Sequence, residues 1–599
     1  MRPVLAIAKM EMMKRVKLAA LPRSAWRPMR RFPVSMVMCS LVLPVAALLL
    51  LTPPMNSLPR YAFAHAFSGV PVLEDPATRC AGCHGEIYRR YQLTAMGRGS
   101  GPALQGFLPG ELQHAPSDVH YRVFLRDGSP WMSFHRDGAA PKGELDGERK
   151  LEYFVGSGRR GRTFLYQQEN LWFELPINYY ARRGAWDMAP NYGNSTHMPA
   201  PLPVDANCLH CHATGVSAAA VETRNRFVGQ PFTQGGIGCN TCHGDPTEHL
   251  AHAGHSPMVN PDRLPVEQRD SACIQCHLEG DAVVYRPGRA LSQFRVGDNL
   301  KDFAVYFVFA SEINGGARAT SQYEALLQSA CKRGSGDRLT CTTCHDPHSS
   351  PLPDDRVAYF RGKCLSCHSS PALATRHHPE QRDCAACHMP TRNTTDISHA
   401  QVTDHNIQRH PAASNVRDDE TLVPVGDFAA SDRDFGLAYA QLAQHGNRKA
   451  GERALMLLSR AEKAGASDEQ LHLNLGFLDQ VSGRSNEART EYTLALQADS
   501  HDIPARTNLA VLEAASGKLQ DSLRLLDEVV TADPSQTSAG LNLAFLQCSL
   551  GHVEEAHRTV ARLRAMDPDS PQLRELLRTG RYGGQICVQM VSAQQPEQH

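Results

Sequence analysis

The chain is short of aromatic residues and of net charge. Phe, Trp and Tyr make up 7% of its 599 residues, and only four residues are Trp. Something other than large side chains is therefore expected to fill part of the core. Sixty-two Lys and Arg balance 62 Asp and Glu, so the chain as a whole has no charge that would favour nucleic acid as a partner. An apolar content of 42% excludes wholesale disorder.

Positive charge is concentrated in the first 31 residues, which carry nine Lys or Arg and one Glu. An uncharged run of 20 residues, Phe32–Leu51, follows, and Ala62-Phe63-Ala64 then offers a cleavage site. This order is typical of an export signal, although 20 apolar residues also suffice for a retained anchor. Residues 1–64 are predicted to be a signal peptide or membrane anchor. Either one places the rest of the chain in the periplasm or on the extracytoplasmic face of the membrane.

Fourteen of the 18 Cys fall in seven copies of the pattern Cys-x-x-Cys-His. The copies are Cys80-Cys83-His84, Cys208-Cys211-His212, Cys239-Cys242-His243, Cys273-Cys276-His277, Cys341-Cys344-His345, Cys364-Cys367-His368 and Cys384-Cys387-His388. Two thiols at this spacing bond to the two vinyl groups of one haem, and the adjacent His becomes an axial ligand of the iron. Zinc sites usually pair two Cys-x-x-Cys units or add a distant His pair, and disulfides require no His. The pattern predicts seven covalently attached c-type haems, which would also fill the core.

Histidines outside the motifs are the candidates for the second axial ligand. Fifteen of them lie between His65 and His410, which is typical of iron held by two His. The candidate distal ligands are His197, His249, His348, His378, His399 and His405, and the alternative for each is a surface His. The first motif has no obvious nearby partner, so Met96 and His135 are its candidates. Without a partner, that iron would keep an open position for catalysis.

The motifs are close together in the sequence from the second one onwards. Their first Cys residues are separated by 31, 34, 68, 23 and 20 residues, which leaves little protein between neighbouring haems. We therefore expect the haems to pack against one another as an electron path. A His only a few residues from its own motif cannot easily reach the far side of its own haem, so it is expected to bind the iron of a neighbour.

The fold class predicted for residues 65–410 is a haem domain that is mainly α-helical with much loop. Residues 100–200 interrupt it with a small β-rich insert, in which VHYRVFLRDGSPWMSFHRDG predicts a hairpin that turns at Asp127-Gly128. The segment GSGRRGR lacks the Gly-Lys-Ser/Thr ending of a phosphate-binding loop. We interpret it as a basic turn whose Arg side chains neutralise haem propionates. Residues 411–434 are polar and acidic and are predicted to be a linker.

Residues 435–580 repeat with a period of 34. Asn474-Leu475-Gly476 recurs as Asn508-Leu509-Ala510 and Asn542-Leu543-Ala544, and glycines recur at 483, 517 and 551. This period predicts an α-solenoid of tetratricopeptide helix pairs, followed by a tail over 581–599. The solenoid is expected to offer a docking surface for a protein partner, and Cys548 is predicted to be a buried thiol.

With these motifs, the chain resembles extracytoplasmic multihaem c-type cytochromes that have a C-terminal tetratricopeptide domain. Its haem part is similar to the nitrite-reductase/hydroxylamine-oxidoreductase superfamily and its electron carriers. The residues that carry this similarity are the seven motifs and the segments CHGDPTEH, CHDPH, CHMP…TDHNIQRH and FVGSGRRGRTFL. The resemblance implies that His249, His348 and the pair His399/His405 are distal ligands of haems other than their own. The Cys-x-x-Cys-Lys motif that nitrite reductases of this superfamily often use is absent.

The expected function is electron transfer along packed haems between redox partners. Those partners are expected to be a membrane quinol oxidase/reductase module or another cytochrome. A protein is expected to dock on the repeats, and no nucleic acid is expected as a partner. The alternative is a multihaem oxidoreductase that acts on a small nitrogen or sulfur compound at one open haem. A third hypothesis is an assembly protein in which the solenoid is the active part, and seven covalent cofactors argue against it.

Overall fold

A computed structural model describes residues 77–138, 143–310, 317–369, 383–408, 421–582 and 585–586. The predicted signal or anchor, residues 1–64, lies outside these ranges, as does His378. Within the described ranges, no helix combines the length and the hydrophobicity that crossing a bilayer requires.

Strands dominate the segment where the sequence predicts a β-rich insert. In chain order they are β1 (Ser100–Pro102), β2 (Gly110–His114), β3 (Val119–Arg126), β4 (Ser129–Arg136), β5 (Leu145–Lys150), β6 (Tyr153–Val155), β7 (Gly161–Gln168), β8 (Leu171–Glu174), β9 (Ile177–Tyr180), β10 (Ala185–Met188) and β11 (Leu202–Pro203). Strands β2 to β5 form one antiparallel sheet, and the other seven form a second. The hairpin of β3 and β4 turns at Asp127-Gly128 as predicted, and both residues have the positive φ of a type I′ turn, 51° and 73°.

The two sheets of the insert enclose a core of aromatic side chains. Tyr121, Phe134, Phe164 and Phe173 belong to one apolar cluster there and are at most 2% exposed. The insert therefore has a conventional core built from its own residues, and the few aromatic residues of the chain are concentrated in it.

Short helices and ribbons make up the rest of the region that carries the motifs. The helices are α1 (Thr78–Tyr91), α2 (Ala206–His210), α3 (Cys239–His243), α4 (Thr247–Ala251), α5 (Val266–His277), α6 (Gln322–Gln328), α7 (Ala330–Ser335), α8 (Cys341–Cys344), α9 (Arg356–Leu365) and α10 (Cys384–His388). Strands β12 (Ala213–Val216) and β13 (Phe232–Gly235) pair, β14 (Ala282–Tyr285) pairs with β15 (Ala304–Phe309), and β16 (Thr391–Asn393) pairs with β17 (Gln401–Thr403).

Most of the helices that carry a motif do not pack through their own side chains. Helices α1, α3, α8, α9 and α10 each contain all or part of a motif, and none of their residues is buried. Helix α5 is different because it buries Ile274 and three polar residues. Side-chain packing therefore does not account for the position of five of the motif helices.

The predicted linker 411–434 is wrong over its described part. Leu422–Pro424 forms strand β18, which pairs with β15, and Leu422, Val425 and Phe428 are buried. Helix α11 (Asp432–Gln444) then begins directly, capped by Ser431. The chain thus enters the solenoid through a strand of the preceding region, because three spaced apolar residues are anchored within an otherwise polar segment.

Helix pairs follow, as the 34-residue period predicts. After α11 they are α12 (Arg448–Lys463), α13 (Glu469–Val481), α14 (Ser485–Ala498), α15 (Ile503–Ala515), α16 (Leu519–Ala532), α17 (Thr537–Ser549), α18 (Val553–Met566) and α19 (Pro571–Thr579). The periodic Gly483, Gly517 and Gly551 turn the chain within three pairs with φ of 79° to 85°. In the predicted tail, β19 (Arg581–Tyr582) pairs with β20 (Gln585–Ile586). Cys548 is disulfide-bonded, so the prediction of a buried thiol is wrong.

The first helices of the solenoid share a hydrophobic core with the sheet of β14, β15 and β18. Phe307 of β15 and Leu437 of α11 lie in the same buried cluster. The side chain of Gln441 donates to the carbonyl of Val283 at 2.7 Å and accepts from its N–H at 3.4 Å. The start of the solenoid is therefore a continuation of the motif region.

The far end of the solenoid is attached to the β-rich insert. Arg136 of β4 donates to both carboxylate oxygens of Asp569 at 2.9 and 2.6 Å, and the two side chains are 1% and 0% exposed. Asp569 also accepts from the N–H of Met198 at 2.6 Å, and Met566 lies in the apolar core of the insert. The solenoid is thus held at both ends.

Replacing Arg136 by Ala is expected to lower the free energy of unfolding by about 3 kcal/mol, because Asp569 would lose its bidentate partner in a buried site. Arg574 remains beside Asp569 and still partly neutralises it. The expected loss therefore lies at the lower end of the range found when one partner of a buried ion pair is removed. Urea denaturation gives the free energy, and hydrogen exchange should show α18 and α19 opening first.

The matched control is Arg126→Ala. Arg126 pairs with Glu148 at 2.8 Å on the same sheet, but both side chains are about 40% exposed, so the expected loss is below about 1 kcal/mol. Equal losses in the two variants would show that the buried pair does not hold the solenoid.

Candidate haem-binding site

Three motif histidines each face a second imidazole from another part of the chain. The ring centroids are 6.5, 6.0 and 6.3 Å apart, and the ring planes are inclined by 18°, 11° and 30°, in the pairs His84–His249, His243–His348 and His345–His405. In each pair the first residue belongs to a Cys-x-x-Cys-His motif and the second does not.

The separation between these rings suits one metal ion held between two imidazoles. A metal–imidazole bond is about 2 Å long, so two nitrogens on opposite sides of one ion are about 4 Å apart. The distance from each nitrogen to its ring centre brings the expected centroid separation to about 6 Å. The paired residues therefore fit an iron with two His ligands, and the thiols of the motifs fit covalent attachment of the porphyrin.

Hydrogen bonds at the other ring nitrogen orient several of these histidines. Nδ1–H donates to a backbone carbonyl in His243 (Val259, 2.8 Å), His249 (Ser256, 2.6 Å), His388 (Gln408, 2.8 Å) and His405 (Thr403, 2.9 Å). This bond fixes the tautomer in which Nε2 keeps its lone pair, as in most metal-binding histidines. The proton is thus held where it leaves Nε2 available for a metal ion.

Thiols of different motifs lie side by side. The thiol of Cys276 in the fourth motif interacts with that of Cys211 in the second, which also lies 3.7 Å from the carbonyl of Gln275, and the thiol of Cys341 in the fifth interacts with that of Cys273 in the fourth. In each case the neighbouring thiol and burial raise the pKa of the Cys276 and Cys341 thiols. The fourth motif therefore lies between the second and the fifth.

The basic turn joins β6 to β7 and reaches the fourth motif. Arg160 Nη1 donates to the carbonyl of Ala319 at 2.7 Å, and Gln322 Nε2 donates to the same carbonyl at 2.9 Å. Gln322 Oε1 accepts from Nδ1–H of His277 at 3.1 Å. Nothing in the sequence pattern singled out Gln322, because its position depends on a contact across 45 residues.

Several other predicted ligands lie elsewhere. His399 is engaged by Asp187, with Nε2 2.9 Å from the carboxylate. His197 lies where the insert meets the solenoid, and its pKa is lowered by burial while the charge of Asp569 opposes that shift. His135 is on the surface of β4 beside Asp137. His378 lies outside the described residues.

For the first motif, the sequence offered Met96 or His135, and the structure instead brings His249 to His84. The two residues are 165 positions apart in the sequence. His249 was a candidate because it follows the third motif, but its spacing carries no information about which motif it would face. Only the folded chain provides that assignment.

Two family models match parts of the chain. A model described as cytochrome c554 and c-prime matches residues 187–244, which include the second and third motifs. This match implies that c-type haem is covalently bound in this segment. A tetratricopeptide repeat model matches residues 513–579, from the end of α15 to α19.

Similar solved structures each cover about a quarter of this chain. MamA AMB-1 is 21% identical over 24% of this chain and 74% of that chain, with a TM-score of 0.22. YrrB, described as a tetratricopeptide protein with an unusual peptide-binding site, is 19% identical over the same shares, also with a TM-score of 0.22. No curated protein matches the chain. The family matches show that the chain combines a cytochrome c554-like segment with tetratricopeptide repeats.

Proposed function

We propose that this protein is an extracytoplasmic heptahaem c-type cytochrome that passes electrons between redox partners. The observation that carries the proposal is the set of three motif histidines that each face a second imidazole from a distant segment. Haem iron with two His ligands supplies reversible one-electron chemistry and has no free position for a substrate.

The proposed ligand pairs put three sites in series. His243 is the motif ligand of one pair, and the nearby His249 is the second ligand of another. In the same way, His345 is a motif ligand and the nearby His348 is the second ligand of another pair. The sites of the first, third and fifth motifs are therefore joined by two short stretches of chain. Short separations of this kind suit electron transfer between neighbouring sites.

The proposal extends to all seven motifs for two reasons. Each copy has the same two thiols and adjacent His, and five of the helices that carry a motif bury no residue of their own. A group bonded to both thiols and to the His of such a helix would hold it in place.

We place the mature chain outside the cytoplasm. The basic and apolar N-terminal segment supports this location. The proposed partners are a membrane quinol oxidase/reductase module or another cytochrome, one of them docked on the repeats. Tetratricopeptide repeats support protein interaction in general.

The full-length holoprotein is expected to contain seven haems per chain, measured by intact-protein mass and by haem absorbance after extraction into pyridine. Replacing both Cys364 and Cys367 by Ala should reduce the count to six, because both thioether bonds of one motif are removed. Cys331→Ala, which lies outside the motifs, should leave seven. Fewer than seven haems in the unmodified protein would contradict the number proposed.

His249→Ala is expected to convert one low-spin haem to a high-spin form, because the iron would lose its second imidazole. Electron paramagnetic resonance of the oxidised protein measures this change. His252→Ala is the control, since His252 is exposed and its Nδ1 contacts Glu248 of the adjoining helix, 2.9 Å from the carbonyl and 3.5 Å from the carboxylate.

Two outcomes would redirect the proposal. Identical spectra in the two variants would remove His249 from the ligand set. A high-spin haem in the unmodified protein, together with turnover of nitrite or hydroxylamine, would support the alternative of a multihaem oxidoreductase acting at an open iron.

A further inference from the structure

The turn between β6 and β7 contacts the histidine of the fourth motif through a chain of hydrogen bonds. Arg160 Nη1 donates to the carbonyl of Ala319 at 2.7 Å, and the same carbonyl accepts from Gln322 Nε2 at 2.9 Å. Gln322 Oε1 then accepts from Nδ1–H of His277 at 3.1 Å. A permanent cation is thus linked to a proposed iron ligand through one carbonyl and one amide.

The carboxylates of Asp396 and Glu279 adjoin this network, and the charge of Arg318 acts on Glu279. The carboxylate of Asp396 accepts from the N–H of Ala319 at 3.1 and 3.0 Å. Burial lowers the pKa of Arg160, and the negative charge of Asp396 opposes that shift. Glu279 accepts from Thr320 N–H at 3.3 Å and from its hydroxyl at 2.8 Å. Burial lowers the pKa of both His277 and His405, and the positive charge of Arg160 lowers each of them further.

The surroundings of His277 differ from those of the other oriented motif histidines. His243 and His388 donate Nδ1–H to backbone carbonyls of loop residues. His277 donates to a side-chain amide that is itself linked to an arginine. The partner at the second ring nitrogen tunes how strongly an imidazole donates electrons to a metal, and at His277 that partner is linked to a cation.

We propose that Arg160 and Gln322 are positioning residues that raise the reduction potential of the haem held by His277, so that electrons collect at this site. The inference rests on the proposed function. A nearby positive charge favours the reduced iron, which carries one positive charge fewer. The Nδ1 partner is a neutral amide oxygen at His277, as it is at His243 and His388, so the charge of Arg160 is what distinguishes this site.

The fourth motif lies at a junction between other motifs and the solenoid. Cys273 and Cys276 adjoin thiols of the fifth and second motifs, so the site lies between two branches. Ile274 of the same helix belongs to the core shared with the first solenoid helices. A site of raised potential at this junction would collect electrons next to the proposed docking domain.

The test is a redox titration of the full-length holoprotein, followed by haem absorbance and by electron paramagnetic resonance. In Arg160→Gln, one haem should titrate at lower potential. At a fixed potential its ratio of reduced to oxidised form should fall about tenfold, which corresponds to about 59 mV for one electron. Arg160→Lys keeps the positive charge, so the potential of this haem should stay close to that of the unmodified protein.

Arg162→Gln is the matched control from the same turn. Its guanidinium donates to the carbonyls of Gly156 at 3.1 Å and Gly106 at 2.7 Å and covers the ring of Phe154 at 4.3 Å. No haem should shift in this variant. Asp396→Asn should shift the same haem as Arg160→Gln but in the opposite direction, because it removes a negative charge.

Gln322→Glu provides an independent variant should Arg160→Gln fail to fold. It places a carboxylate at Nδ1 of His277 and should lower the potential of the same haem. Unchanged titrations in Arg160→Gln and Gln322→Glu, with haem count and spin states retained, would overturn this inference and leave the proposed function standing. Absence of haem from the fourth motif would instead contradict the proposed function.

Discussion

The constraint on which the motif region depends is the meeting of two imidazoles from distant parts of the chain. Each motif supplies two thiols and one His within five residues, and at three of them a second ring arrives from another segment. Where it arrives, the separation is 6.0–6.5 Å. The short helices around these pairs have no buried residues, so an apolar core does not account for their positions.

The remaining parts of the molecule are built on ordinary packing and hold that region from two sides. The insert has an aromatic core, and the first solenoid helices complete the core over β14, β15 and β18. Removing the whole solenoid would therefore expose the shared core, and the role of the repeats in docking is better studied with single surface substitutions. The buried Arg136–Asp569 pair closes the second connection.

Local patterns in the sequence predicted the local features well. The seven motifs, the 34-residue period and the hairpin at Asp127-Gly128 each depend on residues that are close in the chain, so spacing alone identifies them. Contacts across long separations were beyond this approach. His84 meets His249, and Arg136 meets Asp569 across 433 residues, and neither pair has a local signature. The predicted linker failed for a related reason, since Leu422, Val425 and Phe428 become apolar anchors only against a sheet formed by distant strands.

Attachment at both ends changes how the solenoid can lose structure. An array of repeats normally frays from its termini, because each end repeat has only one neighbour and the stability of the array is a sum of nearest-neighbour contacts. Here the first helix rests on a sheet and the turn between α18 and α19 is anchored by a buried ion pair. The usual starting points for fraying are thus covered, so opening of the array would have to begin between them. Thermal motion and proteolysis should concentrate there, away from both junctions.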